Sequence, residues 1–161
     1  GYGINYECDS RKPEYLIDGE KKTNWSSGKI NDKPLELPYY IIFDLNKVSD
    51  IDGVYLANGY SNQCLADVHV EYIGSEVADP YDINAPWETL LQVTDPNVVR
   101  ANLKNERFFD CPRTQARYLR LKISNPNTIV FKSDSDLTEE EKANQKKYHS
   151  FAEFGTYYKK P

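Results

Sequence analysis

Apolar and polar residues alternate with a period of two in several short segments of the chain. The alternation is clearest in residues 116–124, where Leu119, Leu121 and Ile123 would share one face of an extended strand. Runs rich in β-branched and aromatic residues, bounded by turn residues, also occur at 39–45, 52–57, 67–74, 87–93, 106–111 and 151–158. Short strands of this kind predict an all-β fold of the sandwich type.

A single segment has the pattern of a helix. Residues 137–149, LTEEEKANQKKYH, contain Thr138 and Glu141 at the spacing of a capping box, although the apolar face of the segment is thin. We expect a short surface helix within a long connection, residues 125–150, that joins two strands. A connection of this length is either functional or a disordered insert, and the sequence leaves both open.

Composition limits the number of domains and the class of partner. The 161 residues are enough for one domain with its own core, so we expect a single domain spanning 1–161. Thirteen tyrosines and no methionine favour strands and aromatic surfaces. The net charge is −5 and no segment carries a basic stripe, so nucleic acid is not expected as a partner. No apolar run approaches the ~20 residues that span a bilayer.

Residues typical of catalytic sites are few and form no recognised constellation. His69 and His149 are far apart in the sequence, and His69 alternates with two valines, as a residue on the surface of a sheet would. The acidic pair Asp50 and Asp52 is interpreted as part of a solvated turn. The cysteines leave at least one thiol unpaired and fit no zinc spacing. The sequence therefore favours a protein without catalytic activity.

Oxygen ligands are concentrated in the early segment YLIDGEKKTNW, residues 15–25. The turn at Asp18 and Gly19 can bring a carboxylate, main-chain carbonyls and the Thr23 hydroxyl together, and calcium prefers ligands of this type. The segment lacks the residue order of an EF-hand, so a further ligand must come from elsewhere, and Glu153 is a candidate. An outward-facing strand residue is the alternative interpretation of Glu153.

Five blocks in order along the chain resemble one known family. They are YLIDGEKKTNW, LPYYIIFDLNKVSDIDGVYL, WETL, ARYLRLKIS and FAEFGTYY. Their order and spacing are similar to those of the discoidin family, also called the coagulation factor V/VIII C-type domain, and within it to the carbohydrate-binding modules of family thirty-two. The resemblance implies a β-sandwich jelly roll of the galactose-binding type. It also implies that Trp25 packs beside the loop that carries the ligand site.

The resemblance implies a structural calcium ion that joins the first loop to the last strand. The implied ligands are two carboxylates, the hydroxyl and carbonyl oxygens of a threonine, and three further main-chain oxygens. In the same order, the residues are Asp18 and Glu153, then Thr23, then Tyr15, Glu20 and Ala152. An ion enclosed by protein oxygens has no open position for a substrate, so its expected role is in stability.

The resemblance also implies a ligand site on loops at one end of the sandwich. Here these loops are 24–33, 58–64 and the end of the long connection, 146–150. A sugar needs an aromatic plane for the apolar face of its ring and polar groups for its hydroxyls. Tyr60, flanked by two asparagines, offers both, although a simple turn is the alternative interpretation. The candidate sugar-binding residues are Asn24, Ser26, Lys29, Asn31, Asn58, Tyr60, Asn62, Tyr148 and His149.

The chain departs from the family pattern at two positions that recognise galactose. Galactose-binding members have a histidine just after the tryptophan and an arginine after the strand that here reads GVYLA, whereas this chain has Ser26 and Asn58. Galactose specificity is therefore not implied. The apolar spikes of the lipid-binding members are nearly absent, and with a net charge of −5 a membrane is not expected as a partner.

Two functions agree with the resemblance. The first is a noncatalytic glycan-binding module attached to other domains of a larger secreted or cell-surface protein. The second is an adhesion or protein-interaction domain that binds a protein or lipid surface instead of sugar. The first residues, GYGINYECDS, lack the pattern of a signal peptide, so we expect the chain to begin after any such peptide.

Overall fold

Antiparallel β-strands dominate the computed structural model of the protein. The structure describes residues 17, 25–26, 29–30, 33–34, 36–58, 67–94, 106–124, 138–141 and 150–159. Its strands are β1 (Trp25–Ser26), β2 (Lys29–Ile30), β3 (Lys33–Pro34), β4 (Tyr39–Asn58), β5 (Val68–Ile73), β6 (Glu88–Val93), β7 (Glu106–Ile123) and β8 (Ser150–Tyr157). Within these ranges, β1, β8, β4, β7, β5 and β6 form one sheet in that order, and β2 pairs with β3.

The two central strands, β4 and β7, are longer than the sequence predicted. Separate strands were expected at 39–45 and 52–57, and again at 106–111 and 116–124, but each pair forms one continuous strand. The turn-type residues between the predicted segments do not end the strand. They produce irregularities in its pairing, and such irregularities bend a strand without interrupting it.

Two irregularities in the pairing of β4 with β7 produce the bends. At the first, residues 45–48 of β4 stand opposite Arg117 alone, and Asn46 takes a left-handed conformation with φ of 68°. At the second, residues 111–113 of β7 stand opposite Asp52 alone. The proline in that segment has no N–H to donate to a neighbouring strand, so an unpaired position suits it.

An ion pair between an arginine and an aspartate stabilises each bend. Arg117 donates two hydrogen bonds to the carboxylate of Asp44, with N–O distances of 2.9 and 3.2 Å. Arg113 donates to both carboxylate oxygens of Asp52 at 3.1 and 2.9 Å. A bidentate pair fixes the orientation of both side chains as well as their separation, so these contacts hold the strands at the angle of each bend.

The bends divide the sheet into two halves that face each other. The β5 half consists of residues 39–44 of β4, residues 118–123 of β7, β5 and β6; the β8 half consists of residues 53–58 of β4, residues 106–110 of β7, β8 and β1. Phe43 of the β5 half stacks on Phe154 of the β8 half, with ring centroids 4.5 Å apart. Contact between the inner faces makes the molecule a β-sandwich, which confirms the predicted fold class.

Alternate residues of the two halves form one hydrophobic core. Val54 and Leu56 of β4, Val70 of β5, and Leu119 and Leu121 of β7 are fully buried members of a single cluster. Each such side chain contributes ~1.5–3 kcal/mol to stability by leaving water. The alternation in residues 116–124 is therefore confirmed as the inner face of β7.

The predicted helix begins at the predicted cap. Residues 139–141 are helical, and the Thr138 hydroxyl oxygen accepts a hydrogen bond from the main-chain N–H of Glu141 at 3.1 Å. The same hydroxyl donates to the Glu141 carboxylate at 3.2 Å. The extent of the helix beyond residue 141 lies outside the described residues. Within the described ranges, no helix is long and apolar enough to cross a membrane.

Candidate functional site

The loops predicted to bind the ligand leave the sheet from neighbouring strands. Ser26 of β1 pairs with Ser150 of β8, and Phe151 pairs with Trp25 on one side and with Asn58 of β4 on the other. The chain that follows Ser26, the chain that follows Asn58 and the chain that precedes Ser150 therefore start from one edge of the β8 half. The pairing brings together the three segments in which the sequence predicts the sugar site.

A fourth connection meets the same edge. Glu106, the first residue of β7, pairs with Ala57, so the connection 95–105 also ends there. The connections 59–66, 95–105 and 125–149 all run between the two halves of the sheet. Loops carried by a rigid scaffold are common positions for binding residues. The connection 95–105 was not among the loops that the sequence predicted to bind ligand. Its position between the predicted strands 87–93 and 106–111 could have indicated it.

The predicted sugar-binding residues divide into two groups. Ser26 ends β1, Lys29 begins β2 and Asn58 ends β4, and for these the structure describes the main chain. β1 and β4 are two strands apart in the sheet, which places Ser26 and Asn58 ~10 Å from each other. The residues that lie outside the described ranges are Asn24, Asn31, Tyr60, Asn62, Tyr148 and His149. Their contact with a sugar, like the packing of the Trp25 side chain, stays a prediction.

Glu153 lies in β8, two residues after Phe151, which is at this edge. It pairs with Ala57 of β4 and is 5% exposed, so it is not a solvated residue on the outside of the strand. A buried carboxylate is stable only when it is paired, hydrogen-bonded or bound to a metal. Together with the main-chain oxygen of Ala152, which precedes it in β8, the Glu153 carboxylate offers the hard oxygen ligands that calcium prefers.

The remaining predicted calcium ligands lie outside the described residues. They are Tyr15, Asp18, Glu20 and Thr23. Within the described ranges, no group of three or more histidine, cysteine, aspartate or glutamate side chains is arranged to hold a metal. The calcium site therefore remains a prediction, and the burial of Glu153 fits it.

A row of ionisable residues lies on the outer face of the β5 half. Asp67, His69 and Glu71 occupy alternate positions along β5 and the residue before it. Asp67 is 6% exposed and Glu71 8%, and the His69 side chain is 13% exposed, with Nε2 3.8 Å from Glu71 Oε1. The sequence predicted the face of His69 correctly but not its burial. An alternating pattern specifies a face of the sheet, and it does not specify what packs over that face.

Arg120 completes this row. Its Nε donates to Glu71 at 2.6 Å, and its guanidinium lies 4.2 Å from the ring centroid of Tyr40 and 4.6 Å from that of Trp87. The Trp87 indole is held in turn by a 3.3 Å hydrogen bond to the carbonyl of Pro80. Charge-assisted hydrogen bonding and cation–π contacts occupy the guanidinium and the carboxylate. The Glu71–Arg120 pair is therefore a structural feature of this face, whereas Asp67 Oδ2 and His69 Nε2 are buried without a hydrogen-bond partner among the described residues.

Asp52 connects the bend of β7 to the residues that follow β8. It accepts hydrogen bonds from the Arg113 guanidinium and from the main-chain N–H of Lys159, and these lower the pKa of Asp52 to about 2. From the sequence, Asp50 and Asp52 were interpreted as part of a solvated turn. Asp50 is exposed, but Asp52 is 7% exposed because the irregularity in the strands directs its side chain toward Arg113.

Cys111 is a free, partly buried thiol in β7, which confirms that at least one cysteine is unpaired. Burial raises the pKa of the Cys111 thiol, and the nearby carboxylates of Asp52 and Asp110 raise it further. Because the thiolate is the nucleophilic form, this cysteine is a poor nucleophile at neutral pH.

The sequence matches one known family over most of its length. Residues 5–132 match the model of the F5/8 type C domain. No curated protein has a sequence that matches the chain.

Several solved structures share the fold at low sequence identity. The CBM32-3 module from a family 31 glycoside hydrolase of Clostridium perfringens is 22% identical, with a TM-score of 0.65, and the match covers 96% of this chain and 86% of the module. A second C. perfringens module, CpGH89CBM32-5 in complex with N-acetylgalactosaminyl-β-1,3-galactose, is 14% identical, with a TM-score of 0.62 and coverage of 95% and 91%.

A larger enzyme contains a similar region. The GH29 fucosidase of Ruminococcus gnavus, in complex with fucose, is 18% identical with a TM-score of 0.59, and the match covers 94% of this chain. The chain spans only 23% of that fucosidase. Identities at this level establish a shared fold. The family match over residues 5–132 goes further, and it shows that the chain belongs to the F5/8 type C domain family.

Proposed function

We propose that the chain is a noncatalytic carbohydrate-binding module that holds a glycan on the loops at the edge formed by β1, β8 and β4. The observation that carries the proposal is the pairing of Ser26 with Ser150 and of Asn58 with Phe151, which gathers the three predicted loops. The C. perfringens modules with the same fold support it, since one of them is in complex with a disaccharide.

The chemistry of these loops suits a neutral glycan. Tyr60 or Tyr148 provides the aromatic plane on which a sugar ring stacks, and Asn58 and Asn62 donate hydrogen bonds to its hydroxyls. Ser26 and Asn58 stand where galactose-binding members have an imidazole and a guanidinium group, so galactose specificity is not implied. A shallow site of this kind gains ~4–8 kcal/mol, which corresponds to millimolar to micromolar dissociation constants.

Weak binding of this kind is useful when the module is attached to other domains. The region of the R. gnavus fucosidase that resembles this chain is one part of a longer enzyme. Attachment raises the effective concentration of the bound glycan for a catalytic or adhesive neighbour. We infer that the chain serves a larger secreted or cell-surface protein in this way.

A structural calcium ion completes the proposal. Its ligands are the carboxylates of Asp18 and Glu153 and the hydroxyl and carbonyl oxygens of Thr23, with main-chain oxygens from Tyr15, Glu20 and Ala152. The burial of Glu153 beside Ala57 supports this assignment. The ion would fasten the first loop to β8 next to the glycan loops, so its role is to position those loops.

A glycan array followed by titration tests the proposed ligand site. Binding to at least one glycan is expected, with loss of detectable binding in Tyr60→Ala or Tyr148→Ala. Tyr81→Ala is the matched control, because Tyr81 is 50% exposed and lies in the 74–87 connection, away from the proposed loops. A blank array with a folded protein would favour the adhesion or protein-interaction alternative.

Calorimetric titration with calcium after chelation tests the metal site. Calcium should release heat on binding and raise the melting temperature, and at 100 to 1,000 times the dissociation constant the stabilisation is ~3–4 kcal/mol. Glu153→Gln should remove both effects. Identical melting of the chelated and calcium-loaded wild type would contradict the site.

A further inference from the structure

The outer face of the β8 half carries a compact group of aromatic side chains. One cross-strand row contains Phe108 of β7, Tyr55 of β4 and Gly155 of β8. The next row contains Asp110, Gly53 and Tyr157 on the same three strands. We call Tyr55, Phe108 and Tyr157 the aromatic patch; these three side chains lie on the face opposite the core.

The two glycines seat the tyrosine rings on the sheet. A Cβ atom at Gly155 would lie 2.4 Å from the Tyr55 ring, and one at Gly53 would lie 2.3 Å from the Tyr157 hydroxyl oxygen. Since real Cβ atoms do not approach other atoms so closely, both rings need the absence of a side chain beneath them. Glycine within a strand often marks such a close approach. The patch is therefore built into the sheet and is not an accidental exposure of loose side chains.

Phe108 projects from the patch into solvent. It is 64% exposed, whereas both tyrosines are partly buried. The Phe108 ring centroid lies 6.0 Å from that of Tyr55 and 5.6 Å from that of Tyr157, with an edge-on arrangement toward Tyr157. Contacts on two sides fix the orientation of the Phe108 ring, so it presents an aromatic surface without needing to become ordered when a ligand binds.

A pair of exposed, oppositely charged groups lies at the border of the patch. Asp110 Oδ1 is 3.0 Å from Lys159 Nζ, and their side chains are 67% and 62% exposed. The Tyr157 hydroxyl donates a hydrogen bond to Asp110. This hydrogen bond and the Lys159 ammonium lower the pKa of Asp110, so its carboxylate is charged at neutral pH. The pair provides hydrogen-bond acceptors and donors with no net charge.

We propose that the aromatic patch, with Asp110 and Lys159, is a second sugar-binding surface that takes one neutral pyranose unit of a glycan. The apolar face of the sugar ring rests on Phe108. Its hydroxyls donate to the free lone pairs of the Asp110 carboxylate and accept from the Lys159 ammonium. The zero net charge of the pair complements a neutral, hydroxyl-rich ligand.

The size of the patch distinguishes a sugar from a protein partner. A stable protein interface involves roughly 20–30 residues on each side. Here one ring projects between two half-buried rings, and the bordering charges stay in solvent. This surface also differs from the loop edge, because Ala57 and Glu153, which lie between the two, are 0% and 5% exposed. The surface therefore stands independently of the proposed loop site.

Nuclear magnetic resonance titration of the ¹⁵N-labelled protein tests the proposal. The probes are fucose and N-acetylgalactosaminyl-β-1,3-galactose, the sugars present in two of the similar structures. At least one probe should shift the amide signals of residues 107–110 and 155–157 in a saturable way. The shifts should persist in Tyr60→Ala, which affects only the proposed loop site. Phe108→Ala and Asp110→Asn should raise the dissociation constant at least tenfold, whereas Tyr81→Ala should not change it.

Four outcomes would overturn the second surface. Shifts confined to the amides near Ser26, Asn58 and Ser150 would support the loop site and contradict the second surface. Shifts of residues 107–110 that depend on protein concentration and not on sugar would assign the patch to a second copy of the chain. No shift with either sugar, or unchanged affinity in a Phe108→Ala protein whose spectrum shows the native fold, would also contradict it.

Discussion

The outer faces of the two halves of the sandwich differ in which side chains they expose to solvent. On the β5 half, Glu71 and Arg120 form a hydrogen-bonded ion pair whose side chains are 11% and 18% exposed, and Tyr40 and Trp87 pack on the arginine. On the β8 half, Phe108 is 64% exposed. The Glu71–Arg120 ion pair is thus covered on one face, and the Phe108 ring is left open on the other.

This comparison shows that the type of residue does not decide its burial. Glu71 is buried because Arg120 satisfies its carboxylate, and a buried charge without such a partner would be strongly destabilising. Phe108 stays exposed because the neighbouring rings fill the space beside it and nothing among the described residues covers its outer side. A closed outer face contributes to stability, whereas an open one is available for binding.

The largest effect is expected from breaking the covered ion pair. Arg120→Ala leaves the buried Glu71 carboxylate without its arginine, which should lower the free energy of unfolding by ~3–5 kcal/mol in urea titrations. The double variant Glu71→Gln/Arg120→Met removes both charges and should recover most of this loss. If Arg120→Ala costs no more than Phe108→Ala, the two outer faces do not differ energetically.

A smaller effect is expected from filling the space under the tyrosine rings. Gly155→Ala and Gly53→Ala should each cost ~1–3 kcal/mol, measured by thermal unfolding, because the new methyl group collides with a ring. Removing the tyrosine ring should restore stability in only one of the two glycine variants. The nearest atoms at Gly155 all belong to the Tyr55 side chain, so Tyr55→Ala should relieve Gly155→Ala.

The corresponding rescue at Gly53, in which Tyr157→Ala is combined with Gly53→Ala, should fail. There the carbonyl oxygen of Phe109 also lies 2.4 Å from the position that the new methyl group would take, so Tyr157→Ala leaves a collision with the main chain. Each double variant is compared with the corresponding tyrosine variant alone. Equal rescue at both glycines would show that the sheet itself shifts, and the rings would then not be seated as described.

A pH-dependent effect is expected at the junction between the halves. Because hydrogen bonds lower the pKa of Asp52 to about 2, its carboxylate stabilises the folded protein above the usual aspartate pKa of ~4. That contribution should decline as the pH falls from about 4 to about 2. Asp52→Asn should therefore flatten the fall in melting temperature over this range.

Arg113 provides the control for this pH effect. Arg113→Gln removes the main cause of the low Asp52 pKa, so it should also flatten the profile. Combining the two substitutions should add little to either one alone, since both act on the same pair. Fully additive changes would show that the acid sensitivity arises elsewhere in the protein.

The smallest effect is expected at the open face. Phe108→Ala should change the free energy of unfolding by only about 0.5 kcal/mol, since the side chain is mostly in solvent. Phe154→Ala removes the same side chain from the inner face, where it is 2% exposed, and should cost ~3–5 kcal/mol. Chemical denaturation of both variants measures the difference, and similar losses would mean that Phe108 is part of the core.

Local patterns in the sequence predicted much of the fold. The inward alternation of Leu119 and Leu121 and the cap at Thr138 depend on residues close in the chain, and both are confirmed. The predicted strands 87–93 and 151–158 agree with β6 and β8 to within one residue at each end. The continuity of β4 and β7 was not predicted. It depends on pairing between strands and on the contacts of Arg113 with Asp52 and of Arg117 with Asp44, which join residues 61 and 73 positions apart.

The candidate sites, like the fold, were predicted only in part from local sequence. The sequence predicted that the loops after Ser26 and Asn58 bind the ligand, but only the pairing of β8 between β1 and β4 showed that they start from one edge. The aromatic patch was not predicted as a unit. Tyr55, Phe108 and Tyr157 come from three strands, and a period of two gives each residue a face without showing which residues of other strands will lie beside it.

The all-β class, the core face of residues 116–124 and the family were predictable from the chain alone, because these depend on local alternation and on the order of short motifs. Which residues meet and which are covered depends instead on contacts between distant parts of the chain. Glu153 and Glu71 became buried while Phe108 stayed open, and burial depends on partners that are distant in the chain. Those contacts form when the bends of β4 and β7 bring the two halves face to face, which no short segment can specify.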